Sequence, residues 1–127
     1  MMTVEWKPLV YKFADGRVLD LSDTHQVSNT GLIYNNMRKH VSKDEPKPIM
    51  PGGKDNRYRC FGINMQRFTG KNSVKRLRVH RAVACMFVEG YVDGYDVDHI
   101  DENIFNNNAD NLRWVCPTIH RGKRKLP

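Results

Sequence analysis

Asp96-Val97-Asp98-His99-Ile100-Asp101 leads into a polar stretch, and Asn111-Leu112-Arg113-Trp114 and then His120 follow it. Asn111 stands twelve positions after His99, and His120 nine after Asn111. Residues 95–100 read as a strand and Asp101 to Asp110 as an asparagine-rich loop. Leu112 to Cys116 read as a returning strand. Pro117 suits the first position of a helix, which would carry His120. A carboxylate, an amide and two imidazoles therefore fall on a strand, loop, strand and helix at the C-terminal end.

The charge pattern around this stretch is informative. Arg67, Lys71, Lys75, Arg76, Arg78 and Arg81 precede it without an acid among them. Residues 89–111 then hold Glu89, Asp93, Asp96, Asp98, Asp101, Glu102 and Asp110 and no lysine or arginine. Arg113, Arg121, Lys123, Arg124 and Lys125 close the chain. The net charge is +7, yet an acidic island sits between two basic blocks. Phosphates would be repelled by that island unless a divalent cation were bound in it. The blocks on either side form a basic footprint for nucleic acid, although any single lysine is more often only a solvated charge.

The side chains suit phosphodiester hydrolysis. The reaction needs an activated water and a means of neutralising charge on the phosphorane and the leaving oxygen. A histidine titrates near neutrality and suits a general base. Asp98 offers a hard oxygen to a cation. His120 offers an imidazole nitrogen, which suits Mn, Ni or Zn better than Mg. Neighbouring strand residues face opposite ways, so Asp98 and His99 share one site only where the strand ends or twists.

Upstream, residues 4–13 and 17–21 read as strands around Asp15-Gly16. Residues 25–35 read as strand, turn and strand, bending at Asn29-Thr30-Gly31. Residues 43–56 hold Pro46, Pro48, Pro51, Gly52 and Gly53 and read as a loop. Residues 57–68 and about 73–79 read as a hairpin around Thr69-Gly70. Val79, Val83, Met86 and Phe87 then fall at helical spacing, with Gly90 as the stop.

The 127 residues suffice for one compact unit with a small appended module. There is no run of about 18 apolar residues to span a bilayer. The first ten residues, MMTVEWKPLV, lack a signal-peptide core. Cys60, Cys85 and Cys116 form no CxxC pair, which points to a reducing compartment and to cysteines acting as small buried hydrophobes.

The segment VHRAVACMFVEGYVDGYDVDHIDENIFNNNADNLRWV resembles the core of the HNH endonucleases of phages and group I introns. Trp6-Lys7-Pro8 and Gln26-Val27-Ser28-Asn29-Thr30-Gly31-Leu32-Ile33-Tyr34 resemble the small β-module that often precedes this nuclease in phage homing endonucleases. The resemblance implies an α+β fold: a small N-terminal antiparallel β-module (1–42), a loop (43–56), then a β-hairpin, a helix and a C-terminal ββα-metal finger (57–127). It implies His99 as general base and Asp98 with His120 as ligands of one divalent metal ion. Mg2+ or Mn2+ would occupy the site, with Zn2+ or Ni2+ as alternatives. It implies that Asn111 holds the loop in shape through side-chain bonds to backbone.

The expected partner is double-stranded DNA, with no membrane and no obligate protein partner. Arg76, Arg78, Arg81, Arg121, Lys123, Arg124 and Lys125 would contact it. The expected setting is the cytoplasm of a bacterial host. The competing reading is a non-catalytic nucleic-acid-binding module on the same scaffold.

Several positions depart from the family pattern or carry plainer expectations. Many nicking relatives have asparagine where His120 stands, and many have glycine where Glu102 stands. A positive φ at Glu102 would cost about 1 kcal/mol. Larger relatives continue into a helical DNA-binding region, so recognition by this chain is expected to be short or loose. His80 is expected to be a structural histidine bonded to a loop. Trp6 and Trp114 are expected in the core. Asn103, Asn106, Asn107 and Asn108 are expected to satisfy loop backbone.

Overall fold

The computed structural model describes residues 3–36 and 58–117. Asp15-Gly16 turns the chain as expected, with Gly16 at φ 89° and the Phe13 amide donating to the Arg17 carbonyl at 2.9 Å. This pairs β2 (Val10–Lys12) with β3 (Val18–Asp20) in an antiparallel ribbon. Residues 4–13 are not one strand. The chain changes sheets at Leu9, and β1 (Trp6–Pro8) pairs instead with β4 (His25–Ser28). The buried Leu9 makes the junction, its amide donating to His25 and its carbonyl accepting from Leu21, each at 3.0 Å. β5 (Ile33–Asn35) completes a three-stranded sheet of order β1-β4-β5 beyond the Asn29–Gly31 turn.

The hairpin of β6 (Cys60–Asn64) and β7 (Val74–Arg78) sets Phe61 opposite Leu77. Its first strand is shorter than the expected 57–68. Asn64 Oδ1 takes the Gln66 amide at 2.9 Å, which turns the backbone into the short helix α1 (Gln66–Thr69), closed by Gly70 at φ 76°. Helix α2 (Val79–Phe87) follows β7 without a linker. Its buried face, Val79, Ala82 and Val83, belongs to a hydrophobic cluster that also contains Leu9, Tyr11, Leu21, Val27, Leu77, Val97, Leu112 and Trp114. One core thus runs from the first strands to the last.

β8 (Asp96–His99) and β9 (Leu112–Val115) form the last ribbon, with a 3-10 turn at Ala109–Asn111 before β9. Trp114 is buried and its Nε1 donates to the Val88 carbonyl at 3.0 Å. Trp6 is half-buried on β1. The three cysteines are free and half-buried rather than buried. Pro117 is helical, and the expected helix beyond it lies outside the described residues, as do the expected loop 43–56 and His40.

Candidate active site

The β8–β9 register puts Asp98 opposite Arg113 and His99 opposite Leu112. Both acid and imidazole are buried, at 7% and 4% exposure. His99 ends β8, and the chain turns at once, the Glu102 amide donating to the His99 carbonyl at 2.9 Å. Glu102 carries φ 66°, the sole positive φ outside glycine among the described residues. The sequence places glutamate where left-handed backbone favours glycine or asparagine.

Asp98 is charge-matched. Arg113 Nε and Nη2 both donate to Asp98 Oδ2, at 3.0 and 2.9 Å. The arginine side chain is half-exposed while the carboxylate is 9% exposed, so the pair faces outward from the ribbon. A buried carboxylate needs such a donor.

Asn111 closes the loop. Its Oδ1 accepts the Asp101 amide at 3.1 Å, and its Nδ2 donates to Asp101 Oδ1 at 2.8 Å and to the Asn106 carbonyl at 2.9 Å. Asp101 also accepts from Asn106 Nδ2 and from the Asn103 amide. These donors, the Asn106 side chain first, hold its carboxyl below the ordinary value of 3.8. The loop is thus a mesh of short polar side chains bonded to nearby backbone.

Asn107 does something else. Its Oδ1 lies 2.8 Å from His99 Nε2, with both residues buried. The His99 ring is flanked on another side by His80, at 4.9 Å between centroids, and by Tyr58, stacked at 6.1 Å. Tyr58 and His80 are 5.0 Å apart. The sequence reading assigned neither Asn107 nor His80 to the site. His80 opens α2, and nothing local in the sequence shows that this turn lies beside the end of β8.

The basic candidates divide. Arg76 is exposed on β7, and the Arg78 guanidinium lies 4.8 Å over the Tyr58 ring, at the edge of the site. Arg81 is buried, donating to the Lys12 and Tyr95 carbonyls and lying 5.1 Å over Trp114. It ties α2 to β2 and to the approach of β8. His120, Arg121, Lys123, Arg124 and Lys125 lie outside the described residues. Among the described residues no group of three or more histidine, cysteine or acidic side chains is poised to hold a metal. A cleft of about 740 Å³ lies away from His99, between Thr24, His25, Asn64 and Arg67. Asp23 and His25 both line it, but the Asp23 carboxylate is paired with Arg67 at 2.7 Å and His25 Nδ1 lies 2.7 Å from Thr24 Oγ1.

Residues 78–121 match the profile of the HNH endonuclease family. The chain is 39% identical over 101 residues to the DNA endonuclease I-HmuI of Bacillus phage SP01, covering 76% of this chain and 48% of that protein. It is 30% identical over 114 residues to an uncharacterized HNH endonuclease of Acanthamoeba polyphaga mimivirus, covering 90% of this chain and 28% of that one. The chain therefore spans about half the length of the first relative and less of the second. A solved structure of DNA binding and cleavage by the HNH homing endonuclease I-HmuI superposes with a TM-score of 0.62 at 34% identity. That superposition covers 94% of this chain and 57% of that one. The α+β architecture of small antiparallel sheets is the one that structure shows, and by its buried acid–imidazole ribbon and these matches the chain belongs to the HNH endonuclease family.

Proposed function

We propose that this protein is a metal-dependent DNA endonuclease of the homing type, which hydrolyses phosphodiester bonds in double-stranded DNA and nicks one strand as a monomer. The observation that carries the reading is the placement of Asp98 and His99 side by side at the end of β8, both buried and both held by polar partners. The relative I-HmuI, described as binding and cleaving DNA, supports the substrate.

In this reading His99 takes the proton from the attacking water. Asn111 keeps the loop closed around it, through bonds to Asp101 and Asn106. Asp98 and His120 would hold one divalent cation, Mg2+ or Mn2+, with Zn2+ or Ni2+ as alternatives. The donor chemistry of Asp98 fits, since a hard carboxylate at the mouth of a loop, with few protein ligands beside it, is the usual seat of Mg2+. A bound cation polarises the phosphate and stabilises the leaving oxygen.

Arg76 and Arg78 hold phosphates on one side of the scissile bond, and Arg121, Lys123, Arg124 and Lys125 on the other. Arg81 serves the fold, because both bonded nitrogens of its guanidinium face carbonyls inside the protein. Residues 1–42 form the module that braces the nuclease segment. The enzyme works in the cytoplasm of a bacterial host, as the phage relative suggests. Among the described residues no helix is long and apolar enough to cross a membrane.

Supercoiled plasmid incubated with Mg2+ or Mn2+ should convert to the nicked circle, and EDTA should stop the conversion. DNA binding without cleavage in any of the four metals would replace this reading with the non-catalytic module.

A further inference from the structure

Asn107 differs from every other asparagine in its loop. Asn103 serves the Phe105 amide, Asn106 serves Asn108 and Asp101, and Asn111 closes the loop. Asn107 Oδ1 instead meets His99 Nε2 at 2.8 Å, away from solvent. An amide oxygen only accepts, so in this bond the proton sits on Nε2 and the lone pair on Nδ1. An imidazole accepts a proton only through the nitrogen that carries the lone pair. A base in the wrong tautomer is present but idle.

The N-terminal module forms the wall behind Asn107. A Cβ added to Gly31, which sits at φ 92°, would lie 2.9 Å from Asn107 Cβ and 3.4 Å from its carbonyl oxygen. The next contact along the loop is a backbone bond, the Ala109 amide donating to the Asn29 carbonyl at 2.8 Å. The Asn29 side chain is itself tied down, accepting from the Glu5 amide and donating to the Thr3 carbonyl.

We propose that Asn107 is a positioning residue for His99, fixing the Nε2–H tautomer that leaves Nδ1 as the basic nitrogen, and that the Asn29–Gly31 turn holds Asn107 in place. The kinetic part rests on the nuclease reading above; the tautomer part does not.

The test is nitrogen–proton correlation NMR of the histidine rings in the full chain, beside single-turnover nicking. The His99 signals are identified by their loss in His99→Ala. In the wild type they should show the Nε2–H pattern. Asn107→Ala should mix the tautomers and slow nicking roughly 10- to 100-fold, the scale for removing an orienting partner, with unchanged DNA affinity. Asn107→Asp keeps an accepting oxygen and should restore the tautomer and most of the rate. Gly31→Ala should mix the tautomers as Asn107→Ala does. If it does not fold, Asn29→Ala reads the same wall.

An Nδ1–H pattern in the wild type, or an unchanged tautomer in Asn107→Ala, overturns the role of Asn107. An unchanged tautomer in the folded turn variants overturns the role of the wall. If the wild type cuts no DNA, the nuclease reading fails while the NMR still decides the tautomer.

Discussion

The N-terminal strands and the β8–β9 loop are built on opposite physics. The strands meet through apolar side chains, and Leu9, Leu21 and Val27 have no exposed surface. The loop buries little that is apolar. Ile100 and Phe105 stand half out of the protein, at 50% and 47% exposure, while Asp101, Asn106 and Asn111 bond to backbone or to one another's side chains and Asn107 bonds to His99. Apolar burial is non-directional and tolerates small shifts. Hydrogen bonds fix distances and angles. The core therefore supplies stability, and the loop supplies the geometry that the chemistry needs.

The largest test of that division is at the site. Asp98→Ala should abolish metal-dependent nicking, and His99→Ala should slow it about 100-fold or more, the scale for a positioned acid–base group. Both variants should melt close to the wild type. Circular dichroism melts beside plasmid nicking read both properties, and an unfolded His99→Ala would mean that the site also carries the fold.

Leu21→Ala tests the other half. Leu21 has no exposed surface, and its truncation should cost roughly 2–5 kcal/mol in urea denaturation. Under conditions where this variant remains folded, nicking per folded molecule should be retained. A rate that falls with the fold intact would show the core setting the site's geometry directly.

A smaller effect is expected from the C-terminal cations. Alanine at Lys123, Arg124 and Lys125 together should weaken binding to all DNA sequences alike. The slope of log affinity against log salt should drop by roughly 0.9 per lost phosphate contact. An unchanged slope would leave phosphate contact to Arg76, Arg78 and the N-terminal module.

The smallest concerns Glu102, held at φ 66°. Asparagine adopts that conformation more readily, so Glu102→Asn should stabilise by up to about 1 kcal/mol. Chemical denaturation would detect it, and a destabilised variant would show that the glutamate's own contacts outweigh its backbone strain.

Elements were legible where neighbours in the sequence are neighbours in space. Val79, Val83, Met86 and Phe87 marked a helix that runs Val79–Phe87, because helical contacts span three or four residues. The Asp15-Gly16 and Asn29–Gly31 turns were legible for the same reason. The split of residues 4–13 was not, since it depends on Leu9 meeting Leu21 and His25. The end of β6 at Asn64 was missed because a side chain there captures a backbone amide. Arg81 looked like one more phosphate contact in a basic block, and only packing shows its guanidinium turned toward Lys12 and Tyr95.

By itself the sequence determined the order of strand, loop, strand, the sites of Asp98, His99 and Asn111 on it, and the alternation of basic and acidic blocks. Those follow from spacing, periodicity and charge, which are local. The tertiary structure alone decided which groups surround His99. His80 lies 19 positions before it in the sequence, and Gly31, 76 positions before Asn107, lies so close that an added Cβ would meet Asn107 Cβ at 2.9 Å. No periodicity encodes such meetings. They arise because one hydrophobic cluster folds the N-terminal strands, α2 and the β8–β9 ribbon onto each other, and that burial carries the polar groups of distant segments to a common place.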